Sequence, residues 1–194
     1  MQSKFFAFLD RMKLIGRWSL MRNTTTEDVA QHTMQVAMIA HALCTIENAL
    51  FGGNLDAEKA AVLALYHESA EVVTGDLPTP VKYYDADINR AYKNIEHRAE
   101  RKLIDTLPDE LKTAFAPYVQ PDKSCNEYAI VKRADKLSAL IKCVEELAVN
   151  NSEFKSAYEV TVKELNAAPE KCVRYFLDTF IPAYSGSLDD LLDR

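Results

Sequence analysis

The sequence predicts an all-α fold, because turn-forming residues are scarce and helical periodicity is long. The 194 residues contain only 5 glycines and 7 prolines, too few for the many tight turns of a β-sandwich. Over 126–150, apolar residues recur at the three- and four-residue spacing of an amphipathic helix. No segment shows a convincing strand pattern, so we expect a single helical domain spanning 1–194.

The first three helices are predicted from apolar spacing and capping residues. Apolar side chains predict a first helix over about 4–14. Thr26 is the predicted N-cap of a second helix, 27–48, whose first turn is acidic. Asp56 is the predicted N-cap of a third helix, 57–73, which is apolar almost all round and is therefore expected at the centre of the fold.

The remaining helices follow a break at 74–80, where a glycine and two prolines interrupt the helical hydrogen bonds. The long helix 126–150 is expected to contribute a large apolar face to the core. The expected elements after the break are 87–107, a short helix after Pro108, 126–150, 154–166 and 170–180, with one helical turn near 188–192.

Charge and hydropathy exclude two classes of partner. The formal net charge is −6 and no basic stripe is visible, so we do not expect a nucleic-acid polymer as a partner. A small phosphorylated substrate is compatible with that charge, because one or two local cations suffice. The longest apolar run, 60–66, is too short to span a bilayer, so no membrane partner is expected.

The cysteines and the first residues indicate a cytoplasmic protein. The segment 1–11 is amphipathic and contains Asp10, which does not fit a signal peptide. The cysteines are widely spaced and form no Cys-x-x-Cys pair, which is typical of free thiols in a reducing compartment. These cysteines are Cys44, Cys125, Cys143 and Cys172.

Three widely separated segments carry side chains with metal-binding chemistry: His32, the pair His67-Glu68, and Asp135. A buried carboxylate is unfavourable unless a cation compensates its lost hydration, so this set favours a bound divalent metal. Imidazole and carboxylate donors without thiolate suit Mn²⁺, Co²⁺, Fe²⁺ or Mg²⁺. On spacing alone, capping or hydrogen-bonded core roles for the same residues stay open.

Glu71 follows His67 by four residues, so both lie on one face of the predicted helix. Beside a metal and its water, that position suits a general acid or base. The same run resembles the His-Glu-x-x-His motif of metalloproteases, but Glu71 replaces the second histidine. A metalloprotease also leaves the other segments of this sequence unexplained.

Five segments carry a resemblance to a known family. They read LIGRWSLMRN at 14–23, EDVAQHTMQVA at 27–37, TGDLPTPVKY at 74–83, VKRADKL at 131–137 and KCVEEL at 142–147. The histidine and carboxylate set is similar to that of the all-helical HD-domain phosphohydrolases. The segments more closely resemble the bacterial 5′-deoxynucleotidases (YfbR-like), over roughly 5–184.

The resemblance implies an activity and a role for each site residue. The family removes phosphate from 5′-deoxyribonucleoside monophosphates, disfavours ribonucleotides and forms homodimers. The implied metal ligands are His32, His67, Glu68 and Asp135, and the implied catalytic residues are Glu71 and Asp76. Arg17 corresponds to the phosphate-binding arginine and Trp18 to the residue against the sugar, and we expect Lys82 to add positive charge near the phosphate.

One residue departs from the family pattern. The second residue of the HD pair is aspartate in the family and is Glu68 here, and the extra methylene moves the carboxylate by about one bond length. Two alternatives therefore stay open. One is another HD-type reaction, on a deoxynucleoside triphosphate or a cyclic nucleotide, and the other is a catalytically silent nucleotide-binding dimer.

Overall fold

The computed structural model describes residues 2–192, where the regular elements are all helices, which confirms the all-α prediction. Met1, Asp193 and Arg194 of the expected 1–194 domain lie outside the described residues. Short 3-10 segments occur at Asp10–Leu14, Ser152–Phe154 and Ile181–Ser185. The α-helices are α1 (Phe5–Leu9), α2 (Val29–Phe51), α3 (Ala57–Tyr66), α4 (Glu71–Thr74), α5 (Thr79–Lys82), α6 (Ala86–Asp105), α7 (Asp109–Val119), α8 (Asn126–Ala148), α9 (Lys155–Asn166), α10 (Lys171–Thr179) and α11 (Leu188–Leu191).

Helices α2, α3 and α8 form the centre of the molecule, with α9 and α10 packed around them. Their facing side chains make one apolar core that is almost free of solvent, as at Val36, Leu43, Leu63, Leu137 and Ile141. By length and hydropathy α2 would also pass for a membrane span. Here it packs against α3 and α8, so its apolar character is explained by its place in the core.

The N-cap of α2 differs from the prediction. Asp28, not Thr26, caps the helix, because its carboxylate accepts from the Gln31 backbone N–H while the Gln31 side chain accepts from the Asp28 N–H. This reciprocal capping box satisfies two donors at once. The prediction of Asp56 as the N-cap of α3 is confirmed, since its carboxylate accepts from the Lys59 N–H at 2.9 Å.

The third helix is shorter than predicted. We expected it to reach Val73, but α3 ends at Tyr66 and a turn leads to the short α4. The reason lies at His67, whose ring Nδ1 and backbone N–H both bond to the Ala64 carbonyl, at 2.6 and 3.3 Å. A side chain that competes for a helical carbonyl disturbs the backbone ladder. His67 and Glu71 therefore do not share one face of a continuous helix.

The break after α4 confirms the prediction for 74–80, but the prolines do not exclude helix there. Gly75 ends α4 with a φ of 72°, a conformation that glycine adopts without strain. The unpredicted α5 begins directly afterwards, with a proline in its first turn. Proline is tolerated there because the N–H groups of a first turn lack helical partners.

The N-terminal helix supports the end of α3 through aromatic packing. Phe5 is fully buried, and its ring centroid lies 5.4 Å from that of Phe115 and 6.4 Å from that of Tyr66. Tyr66 is the last residue of α3 and directly precedes His67. This second, smaller core therefore holds the segment in which the chain leaves α3.

Candidate metal centre

The structure brings His32 of α2, Asp135 of α8 and the pair His67-Glu68 together, and we call these four residues the donor cluster. One potential ligand atom from each lies within 4.8 Å of all the others. His32 Nε2 is 3.2 Å from Asp135 Oδ1, and His67 Nε2 is 3.3 Å from Glu68 Oε1. Three separate parts of the chain thus converge on one point.

Hydrogen bonds fix the ring proton of both histidines on Nδ1. His67 Nδ1 lies 2.6 Å from the Ala64 carbonyl oxygen, which only accepts, so Nδ1 must carry the proton. His32 Nδ1 lies 2.9 Å from Ser138 Oγ, and that hydroxyl donates to Gln35 Oε1 at 2.6 Å. Because the Ser138 proton is already used, His32 Nδ1 donates as well. Both Nε2 atoms consequently carry a free lone pair.

These lone pairs fit a divalent cation. His32 Nε2 and His67 Nε2 are buried, and neither has a hydrogen-bond partner within residues 2–192. Buried polar atoms are normally paired, and a histidine whose Nδ1–H bonds to an oxygen is typical of a metal ligand. Two imidazole nitrogens and two carboxylates, with no thiolate, form a suitable donor set for such an ion.

The electrostatics of the centre agree with that interpretation. Burial lowers the pKa of His67, which keeps its imidazole neutral, as metal binding requires. Burial raises the pKa of Asp135, but the contact with His32 and the charge of Lys132 outweigh it and hold the pKa well below its ordinary value. Asp135 is therefore an anionic oxygen donor at neutral pH, as metal binding requires.

Glu71 lies beside the donor cluster in a buried position, with 4% of its surface exposed. Its Oε2 atom has no hydrogen-bond partner among the described residues. Burial, followed by the charges of Glu68 and Asp76, raises the pKa of Glu71 to about 10. Burial also raises the pKa of Asp76, where the charges of Arg17 and Glu68 act in opposite directions. The two predicted catalytic carboxyls therefore share one electrostatic environment with the donor cluster.

Arg17 and Trp18 lie on the loop before α2, and one carboxylate, that of Glu27, faces both. The Trp18 indole N–H donates to Glu27 Oε2 at 2.8 Å, and Arg17 Nε lies 3.5 Å from the same oxygen. Burial lowers the pKa of Arg17, but Glu27, Asp135 and other carboxylates outweigh it and raise that pKa. The guanidinium is thus a buried cation directed at an acidic centre.

Lys82 is held by a different partner from the other predicted site residues. Its ammonium lies 3.0 Å from Glu96 Oε1 and 4.9 Å from the centroid of the Tyr92 ring. Burial lowers the pKa of Lys82, while Glu96 and then Glu68 raise it, with a net upward shift. Lys82 therefore contributes charge to the region while its ammonium is paired with Glu96.

Sequence reasoning missed the residues that orient the histidines and hold the loop. Gln35 and Ser138 each follow a metal-ligand candidate by three residues, and that spacing places them on the same helical face. Searching for hydroxyl or amide residues at this spacing would have found both. The Ala64 carbonyl carries no side-chain signal because it is a backbone group. The bonds of the Glu146 carboxylate to Thr24 and Thr25 carry no pattern because they span more than 120 residues.

Glu146 ties the loop before α2 to α8. Its carboxylate is 1% exposed and accepts from the Thr24 N–H, the Thr24 hydroxyl at 2.7 Å, the Thr25 N–H and the Asn151 amide at 2.8 Å. The buried Lys142 ammonium is its fifth partner. We call Glu146, Lys142 and these partners the anchor cluster. It fixes the far end of the loop that carries Arg17 and Trp18.

Comparison with known proteins finds relatives along almost the whole chain. The profile of the 5′-deoxynucleotidase YfbR-like family matches residues 4–184. The 5′-deoxynucleotidase of Erwinia tasmaniensis is 51% identical over 190 residues, which cover 97% of this chain and 96% of that protein. The 5′-deoxynucleotidase YfbR of Salmonella typhi is 51% identical over 191 residues, covering 98% and 96%.

Two solved structures share the fold. An HD-domain phosphohydrolase from Listeria innocua superposes with a TM-score of 0.82 at 22% identity, covering 95% of this chain and 90% of that one. An HD phosphohydrolase from cyanophage S-2L, bound to dA and one catalytic Zn²⁺, gives a TM-score of 0.60 at 17% identity, covering 91% and 95%. These similarities confirm the predicted HD-domain fold.

Proposed function

This chain belongs to the YfbR-like 5′-deoxynucleotidase family, and we propose that it hydrolyses 5′-deoxyribonucleoside monophosphates to deoxyribonucleoside and phosphate. One observation supports a working site most strongly. His32 Nε2 and His67 Nε2 are buried, unpaired lone-pair donors that face two carboxylates. A catalytically inactive scaffold would gain nothing by keeping two such atoms unsatisfied.

We propose that the donor cluster binds one divalent cation. When bound, the cation supplies a Lewis acid that lowers the pKa of a water from about 15.7 toward roughly 7 and offsets phosphate charge. The donor types favour Mn²⁺, Co²⁺, Fe²⁺ or Mg²⁺. Zn²⁺, the ion of the cyanophage relative, accepts the same nitrogen and oxygen donors.

The protein's own residues supply orientation and proton transfer. Ser138 and the Ala64 carbonyl hold the two imidazoles with Nε2 directed into the cluster. Glu71, whose buried Oε2 lacks a partner, lies beside Glu68 and is our proposed acid/base group, with Asp76 as the second carboxyl. Between them, these two carboxyls accept the proton of the attacking water and return one to the departing 5′-oxygen.

Arg17, Trp18 and Lys82 bind the rest of the substrate in this proposal. The planar guanidinium of Arg17 suits two phosphate oxygens, and Lys82 adds positive charge to the same region. Trp18 forms the wall against the sugar. An aromatic ring that cannot move excludes a ribose 2′-hydroxyl by steric contact. An apolar surface that can move away discriminates only weakly between deoxyribose and ribose.

The test compares phosphate release from dAMP, dTMP and AMP in the presence of Mn²⁺, Co²⁺ or Mg²⁺. His32→Ala should lose bound metal and activity together. His41→Ala is a matched control, since His41 is an exposed histidine of the same helix and should retain both. Equal activity in the two variants would contradict a metal role for His32.

The same assay tests the two alternatives that follow from Glu68 in place of aspartate: another HD-type reaction, and a catalytically silent nucleotide-binding dimer. Glu68→Asp restores the carboxylate usual in the family, and we expect it to retain metal with turnover at least equal to that of the unaltered chain. Full metal occupancy and dAMP binding without phosphate release would favour a silent nucleotide-binding protein. Release of triphosphate from a deoxynucleoside triphosphate would instead favour another HD-type reaction.

We also propose that the protein is a cytoplasmic homodimer. Met34 and Met38 lie one turn apart on α2 with 57% and 58% of their surfaces exposed, which supports a self-association face there. Burial raises the pKa of Cys44, Cys143 and Cys172 to about 12, which keeps these thiols protonated and unreactive. The cysteines of the described residues are free thiols, which is typical of a reducing compartment. Light scattering of the unaltered chain and of Met34→Lys tests the dimer, and cell fractionation tests the compartment.

A further inference from the structure

We infer that Glu27 is a positioning residue that sets the preference for deoxyribose over ribose by holding Trp18 in place. The inference rests on the proposed function, in which Trp18 forms the sugar wall and Arg17 binds the phosphate. Glu27 touches neither substrate nor metal in that scheme. It acts through the two residues that the scheme places around the substrate.

Trp18 has a backbone conformation that needs support from its surroundings. Its φ is 57°, in the left-handed region that a bulky non-glycine residue rarely adopts. Such conformations persist where neighbouring contacts over-determine them, and they cluster at ligand-binding sites. The carbonyl of Trp18 accepts from the Met21 N–H at 2.9 Å and from the Asn23 amide at 3.2 Å, which fixes the backbone.

The orientation of the Trp18 ring depends on two further contacts. One face packs near Phe154, with 5.3 Å between ring centroids, and this contact is apolar and tolerant of rotation. The indole N–H bonds to Glu27 Oε2 at 2.8 Å, and this contact is directional. Glu27 therefore decides which edge of the indole turns toward the site.

The same carboxylate links Trp18 to Arg17 and to the donor cluster. Arg17 Nε lies 3.5 Å from Glu27 Oε2, and the Arg17 backbone N–H donates to the Glu27 carbonyl at 2.9 Å. Glu27 Oε1 lies 3.7 Å from His32 Nδ1. The Glu27 side chain is 15% exposed, so water does not replace these contacts freely. One side chain thus lies against both the sugar wall and the phosphate cation, whereas the ring of His32 is held by Ser138 at 2.9 Å.

A steric filter works only when its wall cannot move away from the extra hydroxyl. Without Glu27, the indole keeps its contact with Phe154 but can rotate about it. The ring can then move aside and leave room for the 2′-hydroxyl of a ribose. We therefore expect Glu27→Ala to lower the ratio of kcat/KM for dAMP over AMP about tenfold. Metal content should stay unchanged, because every residue of the donor cluster is still present.

The experiment uses the full chain loaded with Mn²⁺ and has two readouts. The first is the ratio of kcat/KM for dAMP over AMP. The second is intrinsic fluorescence, to which Trp18 contributes as the only tryptophan of the chain. Glu27→Ala should lower the ratio and shift the emission maximum. Glu27→Gln keeps an oxygen that accepts from the indole, so it should restore both the ratio and the emission.

Control variants distinguish positioning from general damage. Glu159→Ala removes an exposed carboxylate from α9 and should leave ratio and emission unchanged. Should Glu27→Ala fail to fold, Glu27→Asp carries the same expectation, because its shorter side chain withdraws the oxygen from the indole. An equal fall of kcat/KM for both nucleotides, with unchanged emission, would overturn the inference.

Failure of the inference differs from failure of the proposed function. If the unaltered chain releases no phosphate from dAMP, the proposed function is wrong and the inference falls with it. If the unaltered chain prefers dAMP and Trp18→Leu loses that preference while Glu27→Ala keeps it, only the inference is wrong.

Discussion

The donor cluster and the anchor cluster each include residues of helix α8, and they differ in whether their hydrogen bonds are complete. Asp135 belongs to the donor cluster, and Ser138 bonds to His32 of that cluster. Two buried histidine nitrogens of the cluster and the neighbouring Glu71 Oε2 lack partners among the described residues. Lys142 and Glu146 belong to the anchor cluster, where both oxygens of a carboxylate that is 1% exposed are fully used. The donor cluster thus contains buried polar atoms without partners, whereas the Glu146 carboxylate of the anchor cluster, a few helical turns away, has a partner for each oxygen.

We interpret that difference as one between residues suited to binding a ligand and residues suited to stabilising the fold. An unpaired buried polar atom destabilises the fold by roughly 1–3 kcal/mol, so it persists where a ligand completes it. A saturated buried ion pair instead connects segments that are distant in sequence, here the loop before α2 and the end of α8. The comparison predicts that substitutions in the donor cluster reduce activity, whereas substitutions in the anchor cluster reduce stability.

The largest expected effect is on turnover, at Glu71. Glu71→Ala should lower phosphate release by about 10²–10⁴-fold, because it removes the proposed acid/base group. Metal content should persist, and the stability of the metal-free protein should not fall, since the variant no longer buries a carboxyl oxygen that lacks a hydrogen-bond partner among the described residues. Initial rates, metal analysis and thermal melting measure these three quantities. Normal turnover would remove Glu71 from the mechanism.

The next largest effect is on stability, at Glu146. Glu146→Ala leaves the Lys142 ammonium, 5% exposed, without its carboxylate and should lower the free energy of unfolding by about 3–5 kcal/mol. Urea denaturation measures the change. Replacing both charged residues with apolar ones should lose much less, because no uncompensated charge remains buried.

Glu145 provides the matched control for Glu146. It is the preceding residue of α8 and is exposed, so Glu145→Ala should change the free energy of unfolding by no more than about 0.5 kcal/mol. A comparable loss at Glu145 and Glu146 would mean that helix α8 itself, and not the anchor cluster, is sensitive to substitution.

A smaller effect is expected at Ser138, which belongs to the donor cluster's surroundings. Ser138→Ala removes the acceptor of the His32 Nδ1–H and should weaken metal affinity by about 10- to 100-fold while folding is retained. Titration of Mn²⁺ into the metal-free protein measures the affinity. Ser156→Ala, an exposed serine of α9, is the control and should leave it unchanged.

The smallest effect is an acid-dependent loss of stability from the anchor cluster. Burial raises the pKa of Glu146, but Lys142, Asn151 and Thr24 outweigh it and hold the pKa far below the ordinary 4.5. A depressed folded-state pKa contributes stability that is complete above the unfolded-state value and declines as pH falls below it. Between pH 4.5 and 3.5 the contribution of Glu146 to the free energy of unfolding should decrease by about 1 kcal/mol. Glu146→Gln should lack this decrease. If the free energy of unfolding of that variant falls with pH as steeply as that of the unaltered chain, the acid-dependent loss does not come from Glu146.

Local sequence patterns predicted the helical fold class, but they missed α5 and extended the third helix too far. Scarce glycine and proline and the apolar period over 126–150 predicted the all-α fold and the position of α8 within two residues. Spacing alone left the roles of the histidine and carboxylate donors open, and the resemblance of five segments to one family implied that they are metal ligands. These features depend on residue identity and short-range spacing, which the chain carries without folding.

The sequence by itself determined that this protein is helical, that it carries a nitrogen and oxygen donor set, and that it resembles one family. Tertiary structure decided the ring proton of His32, which Ser138 holds, and the use of Glu27 and Glu146 as supports. The physical reason is that a hydrogen bond such as that between His32 and Ser138 joins residues 106 positions apart. No local period records such a contact, because it forms only when helices pack and exclude water from the groups between them.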